Sequence, residues 1–203
     1  AISPVVAAKL GDSVSAGLGI TYYDARVISR SQNNYGLGIG ETDLDASGGG
    51  WGVNAGLQWQ CSDEVALGLV YRSAFTIAFD GDVEYDGLPA PIFGVGRRSF
   101  DADSDITFPA SVGAGVCWKP TTRLRLELAA EWMHWSRWSE RTVTVGGTPF
   151  GPGNQRLTSR LDWEDSWVVM LGSEYQVSTR WTLRGGLMYN QTLGDTDNKK
   201  VPF

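Results

Sequence analysis

The sequence predicts an all-β chain laid out as a transmembrane antiparallel up-and-down β-barrel, on three observations. Hydrophobicity alternates with period two along most of the chain, tight turns alternate with long polar segments, and aromatic residues gather at strand ends. About eight strands follow from the alternation, near residues 2–10, 13–30, 51–61, 65–79, 105–118, 122–145, 160–177 and 180–193. Four tight turns, at residues 11–13, 61–64, 119–122 and 177–180, carry the expected turn formers, for example "GDS" and "CSDE". The segments near 33–50, 80–104 and 146–160 are rich in Gly, Asp, Asn and Pro and are expected to be long loops. Short turns at one end and long loops at the other are the layout of an outer-membrane barrel.

Strand parity supports this layout. In "WGVNAGLQWQ", Trp51, Val53, Ala55, Leu57 and Trp59 share one side, and Gly52, Asn54, Gly56, Gln58 and Gln60 share the other. The last strand puts Trp181, Leu183, Leu187 and Tyr189 opposite Thr182, Arg184, Met188 and Asn190. A solvated sheet face usually carries Lys, Glu and Thr, whereas the small and polar second face here suits a crowded or occupied interior. The aliphatic parity is therefore expected to face lipid and the other parity to line a lumen. Trp59, Trp118, Tyr175 and Trp181 lie close to the tight turns; Trp51, Tyr71, Trp132, Trp135, Trp163 and Trp167 lie toward the loops. Two such belts are what interfacial anchoring of indole rings predicts. The alternative is a soluble β-sandwich whose nine tryptophans fill a core or form a binding module.

Composition removes other classes. The chain has 203 residues, 42% hydrophobic and 20% charged with net charge -6, enough for one folded domain and too apolar for disorder. No nucleic acid is expected as a partner, because no cluster of Lys and Arg is present to meet a phosphate backbone. No window reaches the roughly 20 apolar residues of a membrane helix. The chain opens "AISPVVAAKL" with no charged n-region before an apolar core, so a signal peptide has been removed or the segment begins inside a longer protein. Cys61 and Cys117 are read as unpaired. No Cys/His metal spacing, phosphate loop or dinucleotide fingerprint is found, since "GLGIG" at 36–40 has no helix after it, and no cofactor is expected. His134 is the only histidine, and no nucleophile motif accompanies the nearby Ser136 and Ser139, so no enzyme is expected.

The segments "WGVNAGLQWQ", "VALGLVYRS", "FPASVGAGVCWKPTTRLRLELAAEWMHWSRW" and "DSWVVMLGSEYQVSTRWTLRGGLMYNQT" resemble, in order, the FadL/TodX family of outer-membrane transporters for hydrophobic compounds. The resemblance implies a barrel of about 14 strands, plugged by an N-terminal hatch, in the outer membrane of a Gram-negative bacterium. It implies uptake of long-chain fatty acids or aromatic hydrocarbons, captured by extracellular loops, held in an apolar internal site and released sideways. This chain has no counterpart to the hatch and holds only part of such a barrel, so a partial sequence is expected. A general porin-like or structural barrel is the alternative within the class.

Such a transporter needs apolar residues on the lumen parity, where a porin keeps polar ones. Val5, Val70, Val168, Met170 and Met188 qualify, and Met suits varied ligand shapes. The loop "GLPAPIFGVGRRSF" is the second candidate. Its Leu88, Ile92, Phe93, Val95 and Phe100 are apolar, and Arg97 and Arg98 could meet a carboxylate head group; the same residues could instead fold back on the rim or touch lipopolysaccharide. The flanking acidic runs at 80–87 and 101–105 lack calcium-loop spacing and read as solvated charge. Hydrophobic small molecules and membrane lipid or detergent are the expected partners of a monomeric barrel.

Overall fold

The computed structural model describes residues 1–34, 39–87, 97–138, 140–148, 151–161 and 163–192. Twelve strands form a single sheet in which every pairing is antiparallel. They are β1 (Val5–Lys9), β2 (Val14–Asn34), β3 (Ile39–Gln60), β4 (Val65–Arg72), β5 (Phe75–Asp86), β6 (Arg98–Phe108), β7 (Ser111–Thr121), β8 (Leu124–Met133), β9 (Glu140–Thr148), β10 (Gly151–Arg160), β11 (Ser166–Gln176) and β12 (Thr182–Asn190). A single 3-10 turn, η1 (Trp135–Arg137), lies between β8 and β9.

The twelve strands make eight traverses, because β4 continues as β5, β6 as β7, β8 as β9 and β10 as β11, each pair parted by a short break. The breaks divide the sheet into two tiers. The lower tier, next to the tight turns, runs β1-β2-β3-β4-β7-β8-β11-β12; the distal tier runs β2-β3-β5-β6-β9-β10, and β2 and β3 pass through both. Among the described residues β1 pairs only with β2 and β12 only with β11, so the lower tier is an open, curved wall with two edges.

Three of the four tight turns stand where the sequence puts them. Leu10 N donates to Val14 O at 2.8 Å, Cys61 N to Val65 O at 2.9 Å and Val177 N to Trp181 O at 3.0 Å. The fourth slides to Thr122 and Arg123, since β7 runs on through Pro120 with a register shift between Trp118 and Thr121.

The long loops expected over 33–50, 80–104 and 146–160 are corrected: their described parts are mostly strand, in β3, β5, β6, β9 and β10. Gly, Asp and Ser are weak strand formers, but in the distal tier they are held by neighbours. Gly48 and Gly50 on β3 lie so close to β5 that an added Cβ would stand 2.0 Å from Ala78 O and 2.2 Å from Thr76 O respectively. Only glycine allows that approach. On the outer face the aspartates pair: Arg26 Nε donates to Asp45 Oδ1 at 2.8 Å, which holds the Asp45 carboxyl below the usual carboxylate range, and Arg30 Nε donates to Asp43 Oδ1 at 2.7 Å. On the inner face of the distal tier sit the buried clusters, Ala46, Ile77 and Phe79 in one and Val83, Ala102 and Val145 in the other.

The strands expected at 65–79 and 105–118 are each broken, and the breaks reverse the parity. Below Ser73 the inner residues of β4 are Val70 and Arg72, whereas above it the inner residues of β5 are Phe75, Ile77 and Phe79. Ser73 repairs the ladder: its N donates to Val53 O, and its hydroxyl accepts from Val53 N, both at 2.9 Å. In the second break, Pro109 has no N–H to offer and interrupts β6 from β7.

The lower tier is inside-out. Its outer parity exposes Trp51, Leu57, Leu69, Trp167 and Leu171, while its most buried residues lie on the inner parity. Ring pairs complete one outer belt, with Tyr22 and Trp51 at 4.8 Å. Trp135 and Trp163 do not join that belt, as the sequence leads one to expect; they pack with Trp138, which contacts Phe108 of the inner face. A lipid-facing arginine near mid-bilayer costs about 2–4 kcal/mol. Leu69→Arg is therefore expected to abolish the heat-modifiable folded band on gels, while Gln58→Arg on the inner parity leaves that band intact.

Candidate functional site

The register defines which side chains meet on the inner face. One cross-strand row reads Ala7, Gly17, Gly56, Val70, Gly113, Glu131 and Val168; the next reads Lys9, Ser15, Gln58, Gly68, Gly115, Ala129 and Met170. Glycine and alanine occupy Ala7, Gly17, Gly56 and Gly113 in the first row and Gly68, Gly115 and Ala129 in the second, so the wall is bare at those positions. The result is an open cavity of about 550 Å3. Leu57 and Leu69, of the outer parity, also border it between the glycines. A Cβ added to Gly68 would meet nothing within 4 Å, and one added to Gly56 would come no closer than 3.7 Å to any atom.

Val70 and Met170 line this cavity from β4 and β11. Val168, one row above on β11, is buried at 9% exposure. Met188 stands directly opposite Met170 in the register but lies on the edge strand β12, 69% exposed, and Val5 is likewise exposed on the edge strand β1. The structure thus brings Val70 and Met170 to one site and places Val5 and Met188 at the two margins of the wall.

Two charged residues join the lining. Arg72 Nη1 donates to Glu131 Oε1 at 2.8 Å, although β7 lies between their strands. Gly113 is the residue of β7 opposite both Val70 and Glu131, and its missing side chain leaves room for the pair to cross. Toward the tight turns the inner face carries a second polar layer, in which Arg184 pairs with Glu174 and Arg125 with Glu127. An apolar cavity therefore lies between polar layers whose arginines are matched to carboxylates. The sequence places Arg72 on the lumen side with Asn54, Gln58 and Gln60, as found; Glu131 and its meeting with Arg72 across β7 were not foreseen.

Above the cavity an aromatic run follows the level of the breaks. Tyr23 stacks on Phe75 with ring centroids 3.7 Å apart, Phe75 on Phe108 at 4.9 Å, and Phe108 approaches Trp138 at 6.1 Å. Trp163 meets Trp138 edge-on at 4.8 Å and Trp135 at 5.1 Å. The run is positioned by η1, whose Ser136 N donates to Asp165 Oδ1 at 3.0 Å. His134 precedes the turn, donates its N–H to Ala110 O at 3.0 Å and stacks its ring on Trp132.

The second candidate, the loop at 87–100, falls largely outside the described residues, which include neither Leu88, Ile92, Phe93 nor Val95. Arg97 is described and pairs with Glu84 at 3.2 Å. Arg98 begins β6 opposite Tyr85. Phe100 packs inward against the Val83, Ala102 and Val145 cluster, edge-on to Tyr85 at 6.2 Å. Among the described residues no group of three or more metal-ligating side chains is assembled.

Hydrogen bonds from Ser136 hold the Asp165 carboxyl below its usual range. A carboxyl depressed in the folded chain contributes stability above its unfolded value, near 3.9, and that contribution is lost as pH falls through the folded value. Near-ultraviolet circular dichroism of the tryptophan cluster is expected to hold steady from about pH 7 to about pH 5 and to change only in stronger acid. Asp165→Ala should show the acid spectrum already at neutral pH, and Asp165→Asn, which keeps an acceptor, should lose the acid transition.

Comparison with known proteins agrees with this geometry. Residues 1–202 match the family of outer membrane protein transport proteins (OMPP1/FadL/TodX). The chain is 26% identical over 147 residues to outer membrane protein P1 of Haemophilus influenzae, covering 72% of this chain and 30% of that protein. It is 22% identical over 165 residues to a long-chain fatty acid transport protein of Escherichia coli, covering 75% of this chain and 35% of the relative. Among solved structures, the Ralstonia pickettii toluene transporter TbuX superposes with a TM-score of 0.74 at 18% identity, over 92% of this chain and 54% of TbuX. The Pseudomonas putida toluene transporter TodX superposes with a TM-score of 0.74 at 16% identity, over 93% of this chain and 54% of TodX. The chain spans about a third of the curated relatives and about half of the solved ones. With its inside-out wall and an apolar cavity on the inner side, the chain belongs to the FadL/TodX family of outer-membrane transport proteins.

Proposed function

We propose that this chain forms a channel wall through which hydrophobic small molecules, long-chain fatty acids or aromatic hydrocarbons, cross the outer membrane passively and without catalysis. The observation that carries the reading is the bare, glycine- and alanine-lined cavity, with Val70 and Met170 in its lining. Each buried methylene is worth about 0.8 kcal/mol, so a ligand is held there by shape and burial, with no need of a chemical step. A general porin would place polar side chains on the same rows. The toluene transporters and the fatty acid transport protein among the relatives support both substrate classes.

Val168 and Met188 extend the apolar surface on either side of Met170, and the aromatic run above the cavity offers a stacking path toward it. The capture role of Phe93, Val95, Arg97, Arg98 and Phe100 belongs to the same proposal, with Phe100 contributing as part of the packed inner face. The outer belts suit lipid or detergent, and the barrel is taken to work as a monomer.

Gly68→Phe fills the cavity from a position whose Cβ meets no neighbour. It is expected to leave the folded, heat-modifiable form intact and to reduce uptake of radiolabelled toluene or oleate by cells about tenfold or more. Undiminished uptake by a folded Gly68→Phe protein would show that the cavity is not on the route.

A further inference from the structure

The cavity has one cation and one anion in its lining, Arg72 and Glu131, and they are bonded to each other. This is a costly arrangement for a wall that needs only to be apolar. The two side chains reach across an intervening strand, a gap of two strand spacings or about 10 Å, where β7 presents Ser111 opposite Arg72 and Gly113 opposite Glu131. The Arg72 side chain is about half exposed toward the cavity and that of Glu131 a quarter exposed, so the guanidinium is the more accessible partner.

We propose that Glu131 is a charge screen, which by engaging Arg72 makes the cavity selective for neutral apolar molecules over carboxylates. The proposal rests on the channel reading above and names the substrate class for that site. An entering carboxylate sheds its water and needs a donor cation in exchange. Arg72 is the cation of the lining itself, whereas Lys9 stands opposite Ser15 on the edge strand β1 at the margin of the wall; Arg72 Nη1 already serves Glu131, and the Glu131 carboxylate repels a second anion beside it. The other inner-face arginines in the lower tier, Arg125 and Arg184, are matched in the same way by Glu127 and Glu174. A neutral ligand of the same shape meets no such requirement, since burial of its carbon skeleton is sufficient. Removing the charge of Glu131 while keeping its shape turns Arg72 from a neutralised wall residue into a carboxylate anchor.

The test compares two ligands with one skeleton, 1-dodecanol and dodecanoate, by equilibrium binding to the protein in nanodiscs after subtraction of empty nanodiscs. The wild type is expected to favour the alcohol by about tenfold or more. Glu131→Gln should tighten dodecanoate by about tenfold and leave 1-dodecanol within about twofold. Arg72→Gln combined with Glu131→Gln should cancel the gain, which a merely structural role of Glu131 would not do. Equal affinities in the wild type, an unchanged ratio in Glu131→Gln, or a gain that survives the double substitution would each overturn the screen. A folded wild type that binds neither ligand would instead overturn the channel reading on which the screen depends.

Discussion

Hydrocarbon offers no water to an unpaired amide, so a wall that crosses a bilayer must bond every backbone group within itself. That constraint shapes the molecule. It requires long antiparallel ladders, and the chain supplies them from β1 to β12. Where the ladders break, polar atoms close the gap: the Ser73 hydroxyl stands in for a carbonyl, His134 N reaches Ala110 O, and Asp165 takes the free amide of Ser136. The breaks lie near the level of the outer aromatic belt around Trp51, Tyr71, Trp132 and Trp167, where a wall can interrupt its ladder at lower cost than at mid-bilayer.

The breaks also separate two kinds of burial. Below them, large apolar side chains point outward and glycine and alanine point inward, so the lower tier buries its apolar surface in lipid and leaves a cavity inside. Above them the parity of β5 and β6 is reversed, and Phe75, Ile77, Phe79 and Phe108 turn inward, so the distal tier has a packed interior like that of a water-soluble sheet. Two residues at Ser73–Ala74 suffice for the reversal, because side chains alternate with period two and a break in the ladder lets the register of faces slip. The same tier carries Asp43 and Asp45 outward, paired with Arg30 and Arg26, as suits a surface facing water.

The cavity and the aromatic run are a consequence of that junction. The glycines at 56, 68, 113 and 115 thin the wall just below the level at which Phe75, Phe108 and the tryptophans of the β8–β9 connection thicken it. Between the aromatic run and the apolar lining at Val70 and Met170 lies a row that holds Asn54, Arg72, Ser111 and Ser166, and the arginines on either side of the cavity each have a carboxylate.

By itself the sequence determined the strand class, the eight traverses, three of the four tight turns and the lipid-facing parity of the lower tier, because period-two alternation and turn chemistry are local. Trp51, Leu57, Leu69 and Trp181 could be assigned outward from their neighbours alone. The order of residues in "LGLVYRS", "FPASVGAGV" and "LGSEYQVSTRWTLRGG" was also enough to point to the family. Val70 and Met170 were legible as inner apolar residues by the same parity. What only the tertiary structure decided depends on register between strands far apart in sequence. The segments rich in Gly, Asp and Ser look like loops until β3 and β5 are seen to pack backbone against backbone at Gly48 and Gly50. Trp135 and Trp163 look like belt residues until a turn held by Asp165 carries them to Phe108. Arg72 and Glu131, 59 positions apart, become partners because β4 and β8 both pair with β7 and present them on its inner face. No local pattern encodes such a meeting, since strand pairing is fixed by the whole ladder and not by the residues it brings together.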